Sequence, residues 1–121
     1  METVKFRAWF VESKIMYSWD DLINKIGLSE SVFTETKLWK PMQFTGLLDP
    51  TDTEIYEGDI LRQQNVFNGD IYVGAVKAQE DGRWAIDLGD HVPSVTPLFC
   101  EVIGNIYQNP ELLEIKNDTN E

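Results

Sequence analysis

The chain has 121 residues and 13.9 kDa, the size of one compact domain, and its 42% apolar and 12% aromatic residues supply a real core, which excludes a wholly disordered chain. No apolar run reaches the roughly 18 residues of a transmembrane helix, METVKFRAWF lacks the apolar centre of a signal peptide, and a single cysteine, Cys100, excludes an intrachain disulfide and a cysteine-based zinc site. The net charge of −11, from 21 acids and 10 bases, argues against nucleic-acid binding through a broad basic surface and against attraction to an anionic membrane.

Val4 to Val11 alternates as a strand, with Phe6, Ala8 and Phe10 on one face and bulk on the other as well. The polar turn Glu12-Ser13-Lys14 leads into a second alternating run, Ile15 to Trp19, so the two predict a β-hairpin. Ser18 is a helix cap with Asp21 three residues on. Trp19, Leu22, Ile23 and Ile26 then follow at helical spacing, and Gly27 is a natural stop, which predicts a short helix over about 19–27. Ser29 to Thr36 is polar and reads as a loop or weak strand, and Lys37 to Lys40 is extended before Pro41.

From Met42 onward the pattern is one of short strands and tight turns. Met42–Leu48, Ile60–Gln64, Ile71–Ala78, Arg83–Leu88 and Leu98–Tyr107 are strands, the last interrupted by Gly104. Asp49-Pro-Thr-Asp52, Glu57-Gly58-Asp59, Asn68-Gly69 and Asp81-Gly82 are turns, Asn68-Gly69 being the strongest hairpin signal. Gly89–Pro97 is a loop, Pro110–Leu113 makes one helical turn, and Lys116–Glu121 is a frayed polar tail. The expected architecture is a single mostly β domain: a hairpin and short helix over 1–40, a small SH3-like antiparallel barrel over 41–113, and a tail over 114–121.

The charge is unevenly spread. Residues 1–40 hold six acids and six bases; the remainder holds 15 acids and 4 bases, the whole excess of −11. That part of the molecule repels nucleic acid and attracts a basic partner.

Three segments in order resemble the YopX-like family of small proteins encoded by phages and prophages of Gram-positive bacteria. They are Lys5-Phe-Arg-Ala-Trp9 with Met16-Tyr17 and Trp19; Met42-Gln-Phe-Thr-Gly-Leu47 followed by Glu54-Ile-Tyr-Glu-Gly-Asp-Ile60; and Glu101-Val-Ile-Gly-Asn-Ile-Tyr-Gln-Asn-Pro-Glu-Leu-Leu113. The likeness spans about 5 to 113, with departures over 24–40 and 62–95. It implies a mostly β fold, a phage or prophage origin and a bacterial cytoplasmic setting. It implies no established activity and carries over no catalytic residue. Read physically, Trp9, Phe44, Tyr56, Ile60, Val102, Ile103, Ile106 and Tyr107 describe a core rather than a reaction.

The chemistry-bearing side chains give little to an enzyme. Cys100 lies in an apolar strand and reads as a buried structural cysteine. His91, the one histidine, lies in a turn-rich loop and reads by default as a surface histidine, with a Cys100–His91 pair left open as a nucleophilic arrangement. Asp49, Asp52, Glu54, Glu57 and Asp59 are the densest acidic stretch, without the order of a calcium loop, and read as solvated turn carboxylates. Glu57 and Asp59, two apart on a strand, would lie about 6.6 Å apart on one face, near a phosphate spacing. Lys37, Trp39 and Lys40 form one small basic-aromatic patch. Trp39 and Phe67 lie among few apolar neighbours, which favours an interface unless both are core.

The expected role is that of a noncatalytic phage accessory protein in the host cytoplasm. It acts by binding protein, including copies of itself, through Trp39, Phe67, Glu54, Glu57 and Asp59. No cofactor, metal or membrane is expected. The alternative is an acidic, nucleic-acid-mimicking inhibitor of a host nucleic-acid-binding protein.

Overall fold

The computed structural model describes residues 4–27 and 30–118. The backbone is mostly β, in two compact units, Met1–Phe44 and Thr45–Glu121. The boundary falls inside one long strand.

In the first unit, β1 (Phe6–Phe10) is central. It pairs antiparallel with β2 (Ile15–Tyr17) on one side and with β3 (Trp39–Leu48) on the other. The hairpin turn is tight enough to put Lys14 at φ 58°, and Lys14 N–H donates to Phe10 O at 2.9 Å. Ser18 caps α1 (Trp19–Asp21) as expected, its hydroxyl accepting from Asp21 N–H at 3.1 Å. The helix then widens into a π turn, Leu22–Ile26, and stops at Gly27 with φ 76°. The wider turn carries later residues off the 3.6-residue register. Leu22 is buried, while Ile23 and Ile26 are exposed, against the expected apolar stripe.

The segment expected to be loop or weak strand contains a short helix, α2 (Ser31–Thr34); its first residue, Ser29, lies outside the described residues. Glu35 N–H donates to Ser31 O, and the turn delivers Val32 into the core beside Ala8 and Leu22. Tyr17, Trp19 and Trp39 pack around those three.

In the second unit, β4 (Glu54–Tyr56) follows β3 through the Asp49–Thr53 turn, with Asp52 at φ 67°. The strands β5 (Asp59–Gln64), β6 (Ile71–Ala78), β7 (Trp84–Asp87) and β8 (Cys100–Asn105) form an antiparallel sheet in the order β7-β6-β5-β8. That sheet is a curled half-barrel. Its curl has a local cause: the β5–β8 register slips between Ile60 and Leu61, so Ile103 is an extra residue opposite them. Beside the slip, Gly104 leaves room for Asn109, whose Oδ1 would lie 2.6 Å from any added Cβ.

The core of this unit is Ile55, Leu61, Val76, Ile86, Val95 and Cys100. Of the residues expected in the core, Tyr56 and Ile60 are buried, whereas Trp9, Phe44, Val102, Ile103, Ile106 and Tyr107 are half-buried. The Gly89–Pro97 loop is partly a strand in disguise. Ile86 N–H donates to Pro93 O at 2.8 Å, Val95 N–H to Trp84 O at 3.0 Å, and Ser94 bridges to Ala85. Buried Gln63 holds the same loop with its amide, accepting from Thr96 N–H at 2.7 Å and donating to Ser94 O at 3.0 Å. After a 3-10 turn (Pro97–Phe99) and β8, the chain ends in α3 (Glu111–Asp118), longer than the one turn expected and reaching into the segment read as a frayed tail. The last three residues of that tail lie outside the described residues.

Candidate interaction surface

The acidic stretch does not present five solvated carboxylates. Asp49 is buried at the head of its turn. Its Oδ1 accepts from Thr51 N–H (2.9 Å), Thr51 Oγ1 (2.7 Å) and Thr53 N–H (3.1 Å), while its Oδ2 accepts from Val102 N–H at 3.1 Å. Burial works against this charge, but the hydrogen bonds from Thr51, Val102 and Thr53 outweigh it and hold the carboxyl below its ordinary 3.8. Asp59 is buried more completely, and its Oδ2 accepts from Tyr56 N–H at 2.7 Å. Glu54 accepts from the Tyr56 hydroxyl at 3.0 Å.

Glu57 belongs to the turn before β5 rather than to the strand, next to Gly58 at φ 87°. Glu57 and Asp59 therefore do not form a phosphate-spaced pair on one open face. Glu57 is half-buried near Tyr107, whose phenol is pushed up by burial first and by the Glu57 charge second. Among the described residues no three His, Cys, Asp or Glu side chains are gathered as metal ligands.

The nucleophile candidates are set in unlike surroundings. Cys100 is buried in the second core, its Sγ 3.6 Å from Pro97 O. Burial, with the Asp49 charge adding to it, pushes its thiol up to about 11. His91 is exposed; its Nδ1 lies 2.6 Å from Asp90 Oδ1 and its ring meets Tyr72 edge-on at 5.8 Å. A thiol of this kind is almost wholly protonated at neutral pH. Ellman's reagent at pH 8 is therefore expected to leave Cys100 intact in the native protein and to titrate it fully in denaturant; rapid stoichiometric labelling of the native protein would contradict this.

The two aromatics singled out from sequence part company. Trp39 is half-buried, with its ring 4.6 Å from Phe10 and 5.6 Å from Tyr17, so it belongs to the first core and is not an open docking side chain. Lys40 Nζ reaches Thr36 O at 2.6 Å, and no stacking platform forms from Lys37, Trp39 and Lys40. Phe67, in contrast, is 96% exposed.

Phe67 stands on the six-residue connection Asn65–Asp70 between β5 and β6. This loop is longer than the two-residue turn that Asn68-Gly69 suggests. Asn65 organises it: its Oδ1 accepts from Phe67 N–H at 2.8 Å and Asn68 N–H at 3.3 Å, and its backbone O accepts from Gly69 N–H at 2.8 Å. Asn65 Nδ2 donates to the Tyr72 hydroxyl at 3.0 Å, fixing that ring beside the loop. A groove of about 200 Å³ runs there between Phe67, Val66, Tyr72, Gln63 and Pro93.

Because Gln63 lies opposite Cys100, the Pro97–Phe99 turn is at the same end of the sheet. Leu98 there is 76% exposed, and Phe99 and Val66 are also exposed. These three were not singled out from sequence. Leu98 and Phe99 read as the start of the β8 strand, and the prolines before them, Pro93 and Pro97, are the signal that the strand begins later.

The model of the YopX protein family matches residues 5–114. The crystal structure of protein EF1440 from Enterococcus faecalis is similar at 28% identity, with a TM-score of 0.63, over 93% of this chain and 99% of that chain. No curated protein matches. No helix among the described residues is long and apolar enough to cross a membrane.

Proposed function

Since this chain belongs to the YopX protein family, we propose that it is a noncatalytic phage or prophage accessory protein that works in the bacterial cytoplasm by binding another protein. One observation carries the reading: the apolar side chains at one end of the second unit are open to solvent, Phe67 above all, beside a groove of about 200 Å³. That volume is below the roughly 300–1,000 Å³ of small-molecule sites. It suits the side chain of a protein partner better than a cofactor or substrate. Exposed aromatic anchors at a shallow hollow are the usual core of a protein interface.

The mimicry alternative gains nothing from the geometry. Two of the five carboxylates in its densest stretch, Asp49 and Asp59, are turned inward onto backbone N–H groups.

The test is quantitative affinity capture from a Gram-positive bacterial host, followed by titration of each captured protein in purified form. A partner binding saturably is the expected result. If purified candidates show no saturable binding, the reading fails; a hydrolase or nuclease activity abolished by a substitution that leaves the fold intact would replace it.

A further inference from the structure

The geometry points to the apolar end of the second unit as the docking site for a basic segment of another protein, anchored by one apolar side chain in the groove beside Phe67. This rests on the protein-binding reading and gives it a surface and a partner chemistry.

Three observations converge. First, Phe67 is not left in water by a loose chain. The loop under it is tied by the Asn65 and Asn68 side chains, Asn68 Oδ1 accepting from Asp70 N–H at 2.9 Å, and by Gly69 at φ 79°. The cost of ordering the backbone that carries the aromatic anchor is thus met before a partner arrives. Second, the exposed apolar residues gather at one end of paired strands: Val66 and Phe67 follow β5, and Leu98 and Phe99 precede β8 beside it.

Third, the charge around this end favours one kind of occupant. The second unit carries, by sequence, the entire net −11. Near the groove, Arg62 lies next to Glu101 across β5 and β8. Arg83 is held by Asp81 at 3.3 Å and by Val92 O at 2.7 Å. Asp70, exposed on the Phe67 loop, adds a further carboxylate to these paired charges. A second copy of this unit would bring a like charge of the same size against them, so a basic partner fits and a homodimer through this face does not.

The experiment uses the full chain and three short labelled peptides: alternating Lys with Leu and Phe, the same with Glu for Lys, and Lys with Ser. Binding is read by fluorescence anisotropy at about 0.1 and 1 M salt. The Lys–Leu/Phe peptide is expected to bind saturably and more weakly in high salt. Phe67→Ser or Leu98→Ser weakens it about tenfold, and Asp70→Asn reduces its salt dependence. All three positions are exposed, so circular dichroism and the unfolding midpoint stay as in wild type.

The inference is overturned if the Glu peptide binds as well, if Phe67→Ser binds undiminished, or if sedimentation shows a wild-type dimer that Phe67→Ser dissolves. A captured partner that binds wild type and Phe67→Ser equally removes this surface and leaves protein binding standing. Capture that yields no binding partner removes both.

Discussion

Replacing Asp49 with alanine is expected to lower the unfolding free energy by about 3 kcal/mol, since hydrogen bonds to a charged group contribute roughly 1.5–3 kcal/mol and several are lost together. Three donors, Thr51 N–H, Thr51 Oγ1 and Thr53 N–H, close the turn before β4, and the fourth, Val102 N–H, belongs to β8. One carboxylate thus shapes a local turn and joins it to a strand 53 residues later. Asp49→Asn keeps the volume and an acceptor oxygen, so its cost is smaller. Urea unfolding by circular dichroism measures both, with an unchanged m-value showing that only stability moved.

The same carboxylate gives a pH signature. Its pKa in the folded protein lies below the ordinary 3.8. The folded state therefore binds that proton more weakly than the unfolded state. The resulting stability is fully present above the unfolded value and is lost as pH falls through the folded one. The stability gap between wild type and Asp49→Asn should be constant from neutral pH down to about 5 and shrink below about 4. A gap that widened on acidification would contradict the assignment.

Local chemistry was legible in the sequence wherever its partner lay a few residues away. Ser18 caps the residue three positions on, Gly27, Gly58 and Gly82 each take the positive φ that their turns require, and the hairpins follow. What the sequence hid depended on neighbours across strands. Trp39 stands among polar residues in the chain, yet the register sets it directly opposite Phe10. Phe67 gives the same signal in sequence but has no such partner, because it leaves the sheet on a loop. Linear apolar isolation thus raised both residues, and only the pairing of strands separated them. Likewise, nothing near Asp49 or Gln63 in sequence announces the backbone groups of Val102 and Thr96 that bury them. The short α2 was hidden for a different reason: its four residues hold two apolar side chains, buried Val32 and Phe33, whose ring meets Phe6 edge-on at 5.0 Å, too few for a periodic pattern.

Asp59→Ala is expected to cost about 3 kcal/mol as well, by a different route: a lost hydrogen bond of roughly 0.5–1.5 kcal/mol plus an orphaned buried donor of roughly 1–3 kcal/mol. Asp59 folds back over the Glu57-Gly58 turn to take the Tyr56 N–H at 2.7 Å. The turn itself is fixed from two sides, Gly58 N–H donating to Val76 O and Gly58 O accepting from Ile106 N–H, each at 2.9 Å. With that backbone clamped, Tyr56 N–H loses this acceptor when the carboxylate is gone. Asp59→Asn preserves the acceptor and should cost less. The outcome also bears on function. A buried acid that costs nothing to remove, or whose removal stabilises, is the mark of a group kept for chemistry or ligand binding rather than for the fold. A loss near 3 kcal/mol with binding at the Phe67 end unchanged, measured where the variant is still folded, makes Asp59 a structural clasp. Removal without loss of stability would return Asp59 to the candidates for chemistry and count against a noncatalytic protein.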